Sequence, residues 1–200
     1  MFNNYPVFDE TVTISMLIFK CLCEMARITR HDHAETRAQF YGNNYSLNYA
    51  TEINGAESNR RLNNKQILEN YLSYCGDSEN KLILDVHTHL KNSELNAEEV
   101  YVDDDYRRFT SVDIATHILR AKLLRDNNAK YLSAVIGCDS DRGSATLSIV
   151  GIDENNNIYH PSTINVIDAN GANVGTLKSD AIGIMTLEDF GQATKLSTVA

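Results

Sequence analysis

Two hundred residues suit one domain with elaborations, able to bury its own core. A formal charge of −9 argues against a nucleic-acid partner or an anionic membrane surface; apolar residues at 42% and charged residues at 22% are an ordinary globular mix. No apolar run approaches the roughly 20 residues of a membrane-spanning helix, and Met1 to Pro6 lacks the basic start and cleavage site of a signal peptide.

The four cysteines (Cys21, Cys23, Cys75 and Cys138) have neither paired zinc spacing nor a disulfide framework, which predicts reduced thiols in a cytoplasmic protein. Ser15 is a natural N-cap for a helix from Met16 to about Thr29. On it the polar residues Lys20, Glu24 and Arg27 form one narrow stripe, so most of its surface is expected to be buried. His31 and His33 follow in a predicted loop, where they are rival but weak candidates for metal ligation. Tyr45 to Ile53 alternates apolar and polar residues as a half-buried strand does, and Asn54-Gly55 reads as a turn. A second helix is predicted from about Asn64, carrying Ile67, Leu68, Tyr71, Leu72 and Cys75 on one face, with Gly76 as its C-cap.

The most informative stretch runs from Leu82 to Asp126. Leu82, Ile83, Leu84 and Val86 form a short bounded apolar run, the mark of a buried strand, which ends in His87-Thr88-His89. Strand alternation turns both imidazoles to one face. Two histidines are two-thirds of a catalytic zinc site, which takes three protein ligands and leaves a fourth position open. Asp113, at the start of the next predicted helix, is a plausible third. Thr110 and Asp113 also have the spacing of a capping box, a helix start that needs no metal. The intervening Glu94, Glu98, Glu99, Asp103, Asp104 and Asp105 read as a solvated acidic insertion spanning 90–108. Asp85 shares the histidine face as a candidate supporting carboxylate.

Beyond it, Tyr131 to Cys138 and Thr146 to Ile152 read as strands joined through the turn-forming Asp139 to Gly143. Short strands are expected around Ile158-Tyr159 and Ile164 to Ile167. Residues 171–200 read as a C-terminal extension or tail of a domain covering 1–170.

Taken in order, Glu35 through Gly42, His87-Thr88-His89-Leu90 and Thr110-Ser111-Val112-Asp113 resemble the JAMM/MPN (JAB1/MPN/Mov34) metalloprotease family, with motifs like those of AMSH-type deubiquitinases. The resemblance covers about residues 12 to 167. It implies an α/β (α+β) fold, a cytidine-deaminase-like core with a mixed central sheet flanked by about three helices. It also implies one Zn2+ per chain on His87, His89 and Asp113, with Glu35 as general base and acid. Leu90 stands where the family has Pro, Thr110 where it has Ser, and the spacer from His89 to Asp113 is longer than usual. Ala115 replaces the histidine of a second zinc site, so no second ion is expected, and His117 is expected in the core or at an edge.

On this reading, zinc draws the pKa of water from 15.7 towards about 7. Glu35 passes the proton to the leaving amine, and Thr110 stabilises the oxyanion. The expected function is a zinc isopeptidase or peptidase acting where a ubiquitin-like modifier joins a lysine or peptide. A protein partner for activation fits the long insertion. A non-catalytic MPN scaffold and a JAB-type peptidase acting on an unrelated peptide are the alternatives.

Overall fold

Ser15 ends one element and begins another. Its backbone is extended (φ −71, ψ 157) and its hydroxyl accepts the N–H of Ile18 at 3.3 Å, the predicted N-cap. The computed structural model describes residues 5–43, 46–50, 54–55, 65–66, 69–70, 73, 81–91, 105–125 and 129–187. Its elements are β1 (Val7–Ser15), α1 (Met16–Asp32), β2 (Thr36–Asn43), β3 (Ser46–Ala50), β4 (Asn54–Gly55) and β5 (Lys81–Leu90), then α2 (Ser111–Arg125), β6 (Ala129–Asp139), β7 (Ser144–Ile152), β8 (Ile158–Ile167), β9 (Asn173–Lys178) and β10 (Ile184–Thr186). Lys65, Gln66, Glu69, Asn70 and Ser73 are helical, within the predicted second helix. The remainder of that helix and the insertion residues 92–104 lie outside the described residues.

The sheet runs β10-β7-β6-β5-β2-β3-β1-β8-β9, and β7 pairs with β8 as well, which closes the strands from β7 to β8 into a ring. The expected helix-flanked α/β core of MPN type is therefore corrected: the fold is a closed seven-stranded β-barrel with three added strands, β4, β9 and β10, and two helices, α1 and α2, among its described elements. The cause is β1, a strand the sequence reading did not identify. It runs parallel to both β3 and β8 and so joins two sheet edges that would otherwise stay apart.

The helices have different places on this barrel. α1 touches β1, β2, β3, β5, β6 and β8, and a helix in contact with six strands of a closed ring lies on its inner side. Ile18, Phe19, Leu22, Met25 and Ala26 pack there with Val12, Ile14, Phe40, Leu84, Val86, Leu132, Leu147 and Ile164. From Met16 to Arg30 only Leu17, Lys20 and Arg27 are exposed, so α1 is buried or half-buried over most of its surface, as expected. α2 packs outside, against β6, where Ala121 and Leu124 meet Tyr41, Ile83 and Tyr131.

Alternation along β5 serves both sides. Leu82, Leu84, Val86 and Leu90 enter the inner core, whereas Ile83 joins the outer cluster. Thr88 also faces inward: its hydroxyl oxygen accepts the Thr36 N–H at 2.7 Å and lies 2.7 Å from the Thr29 hydroxyl on α1. Asn54-Gly55, predicted as a turn, instead pairs with Thr36 and Arg37 as a two-residue strand. Residues 173–178 and 184–186, in the expected extension, hydrogen-bond to β8 and β7. Among the described residues no helix is long and apolar enough to cross a membrane.

Candidate metal centre

β5 runs parallel to β6 and antiparallel to β2, so His87 and His89 project from a strand held on both edges. His89 pairs with Gly137, whose missing side chain makes room for the backbone ahead of α2. A Cβ on Gly137 would meet Arg107 Cα at 2.8 Å. That close approach brings the main chain of Tyr106 and Arg108 within hydrogen-bonding range of the His89 ring. It also sets the N-terminus of α2 over the carboxyl end of β5.

Thr110 starts α2 with the predicted capping box. Its N–H and hydroxyl donate to Asp113 Oδ2 at 2.9 and 2.7 Å, and the Asp113 N–H donates back to Thr110 Oγ1 at 3.2 Å. The cap holds Oδ2 and directs Oδ1 towards His87 Nε2, 3.2 Å away. His89 Nε2 lies 3.6 Å from Oδ2, and the two Nε2 atoms are 3.0 Å apart. Donors about 2.05 Å from a tetrahedral zinc stand about 3.3 Å from one another. The observed separations bracket that value, so the donor set fits a small divalent ion with little movement. His87, His89 and Asp113 form a three-donor group whose ligand atoms lie within 4.8 Å of one another.

The electrostatics suit the same use. Burial, reinforced by charge on His87, lowers the His89 pKa to about 3, leaving a neutral imidazole with a lone pair at neutral pH. Burial pushes Asp113 up, but hydrogen bonding to His87, the histidine charges and the Thr110 hydroxyl outweigh it and keep the carboxylate ionised. With His89 neutral, the Thr110 bond is the more durable of these influences. Phe109 meets His87 edge to face, with ring centroids 6.4 Å apart.

The other sequence candidates fall in different places. Glu35, half-buried, lies outside the three-donor group and directly precedes β2. The β2–β5 register ends at Arg37–His87, and Glu35 lies just outside that ladder. The Thr36–Thr88 hydrogen bond shows that the two strands are still adjacent there. Asp85 is on the histidine face but is taken up by Arg120 and by the Tyr131 hydroxyl, which donates to it at 2.9 Å. Thr110 gives its hydroxyl proton to Asp113. His31 and His33 are exposed at the end of α1, away from the cluster, with His31 beside Asp32 at 2.6 Å. Cys21, Cys23 and Cys138 are free thiols, the first two only half-buried.

A cleft beside the three donors was not foreseen as a unit. Arg37, Asp85, His87, Phe109, Val112, Asp113, His117, Arg120 and Ser133 are among its walls. His117, expected in the core or at an edge, is buried under α2, stacked on Tyr131 (centroids 5.4 Å apart, planes at 24°) with Nδ1 2.8 Å from Ser133 Oγ. Burial, with the nearby Arg120 charge, lowers its pKa to about 4. Arg37 shares a face with His87 through strand pairing, which no local spacing in the sequence signals. The sequence matches no known protein-family model, and no curated protein is similar enough to count as a match.

Proposed function

We propose that this protein is a divalent-metal hydrolase of amide bonds, with zinc as the ion and His87, His89 and Asp113 as its ligands. The observation that carries the reading is the spacing of the three donor atoms, 3.0, 3.2 and 3.6 Å, at the end of a strand whose histidines turn to one face. An ion held there supplies Lewis acidity and activates water at neutral pH. Asp113 contributes one negative charge and is oriented by Thr110. His89 offers its lone pair because burial keeps the ring neutral. Glu35 is the proton carrier, accepting from water and returning to the leaving amine. Thr110 can serve the oxyanion only when its hydroxyl swings away from Asp113 Oδ2.

The substrate this chemistry fits is a ubiquitin-like protein joined through its C-terminal glycine to an amine, in a cytoplasmic setting. The likeness of the His-Thr-His and Thr-x-x-Asp segments to JAMM-type motifs supports that reading. The test is metal content measured beside turnover on a panel of ubiquitin-like fusions, for wild type and Glu35→Gln. The variant is expected to keep stoichiometric zinc and lose turnover by at least 100-fold, the span of one general base. A wild type that binds zinc yet cleaves nothing on the panel, alone or with candidate partners, would return the protein to the scaffold reading.

A further inference from the structure

The cleft beside the donor cluster has one wall whose charge is unanswered. Arg37 is half-buried and lines the cleft, and its guanidinium makes no hydrogen bond or ion pair among the described residues. Its strand pairing with His87 sets the two backbones about 4.8 Å apart and both side chains on one face. The other guanidinium there, Arg120, is engaged by Asp85 and Tyr131. Asp113 is committed to the donor cluster. Among the residues lining the cleft, the charge offered from β2 is therefore that of Arg37.

The opposite wall carries the reverse polarity, and a chain of hydrogen bonds fixes it. Asp85 can only accept, so the Tyr131 hydroxyl donates to it. Tyr131 in turn bonds to the Ser133 hydroxyl, which must be the donor in that pair. Ser133 then accepts from His117 Nδ1–H. The neutral ring is left with a bare lone pair on Nε2, which is buried and has no hydrogen-bond partner among the described residues. This side offers a carboxylate no free donor, since Arg120 is held by Asp85, whereas Arg37 attracts it, so a guest enters in one orientation.

Resting on the hydrolase reading above, we propose that Arg37 binds a free carboxylate one residue beyond the scissile amide. The substrate class is then a chain ending one residue after the cut. Successive Cα atoms are 3.80 Å apart across a trans peptide. The terminal carboxylate of that last residue thus follows the reacting carbonyl by a single residue, and Arg37 lines the cleft beside His87, its partner on the neighbouring strand. Phe109 and Val112 give the cleft an apolar side for the residue's side chain. An isopeptide to lysine has no carboxylate at that distance, so C-terminal trimming is favoured over deconjugation.

The probe is acyl-Gly-Gly-Ala as the free acid and as its C-terminal amide. Binding to the metal-free protein is measured by calorimetry, and cleavage by the zinc-loaded protein in parallel. The acid is expected to bind at least 10-fold tighter than the amide. Arg37→Met should erase that preference and Arg37→Lys retain part of it, with far-ultraviolet circular dichroism confirming that both variants fold. Equal binding of acid and amide by wild type, or a preference that survives Arg37→Met, overturns the proposal. A carboxylate preference without any cleavage would leave this site standing and defeat the hydrolase reading instead.

Discussion

Replacing Asp113 with Asn separates the two tasks of that carboxylate. Asn retains an oxygen for the Thr110 N–H and hydroxyl, which hold Asp113 Oδ2 at 2.9 and 2.7 Å, so the cap survives in outline. Metal-free stability should change by no more than about 1 kcal/mol, the usual worth of an N-cap. Metal binding should fail, because the only anionic donor of the cluster has become neutral. In the wild type the donor separations of 3.0, 3.2 and 3.6 Å differ from tetrahedral zinc spacing by about 0.3 Å at most, so little distortion offsets binding. Zinc at one hundred times its Kd then stabilises the fold by about 2.7 kcal/mol. For a domain of this size that raises Tm by roughly 5–11 °C. Differential scanning fluorimetry with and without zinc, checked by metal analysis after dialysis, reads both effects. A wild type whose Tm ignores zinc, or an Asp113→Asn protein that responds as fully, would refute the assignment of the cluster.

Thr110→Val keeps the shape but removes the hydroxyl that orients Asp113. Zinc affinity should fall about 10- to 100-fold, the range for lost ligand-orienting partners, whereas Thr110→Ser should stay near wild type by calorimetry. Acid should destabilise the metal-free protein through His117, whose folded pKa of about 4 lies below the ordinary 6.5. The unfolded chain takes up the proton first, so this stability is complete above pH 6.5 and is lost as pH falls towards 4. A shift of about 2.5 units corresponds to about 3 kcal/mol. Burial of His89 acts in the same direction. A urea midpoint that stays flat across this window would contradict the burial of both rings.

The parts of the site that depend on local rules were readable in advance. Alternation put His87 and His89 on one face, and the three-residue spacing of Thr110 and Asp113 gave the capping box. Ser15 and the start of α1 follow from the same kind of rule. What failed was pairing at a distance. β1 carries Val12 and Ile14 between polar neighbours, too sparse a pattern to stand out, yet its placement between β3 and β8 decides the barrel. Ring closure itself rests on Gly151–Tyr159 and Ile152–Ile158, short contacts with no sequence signature. Asp85 had the right face for supporting a histidine; only packing shows that Arg120 and Tyr131 take it up.

The way the barrel is sealed bears on how the chain can be made. Thr11 pairs with Thr163, so β1 cannot be joined to β8 until the whole stretch between them has been made. β5, with its two histidines, can meanwhile pair with β2 and β6. A half-emerged chain can thus assemble the histidine strand while the hollow around α1 is still open along one side. Such widely separated pairings slow folding, and the exposed inner surface of that interval is what a chaperone would meet first.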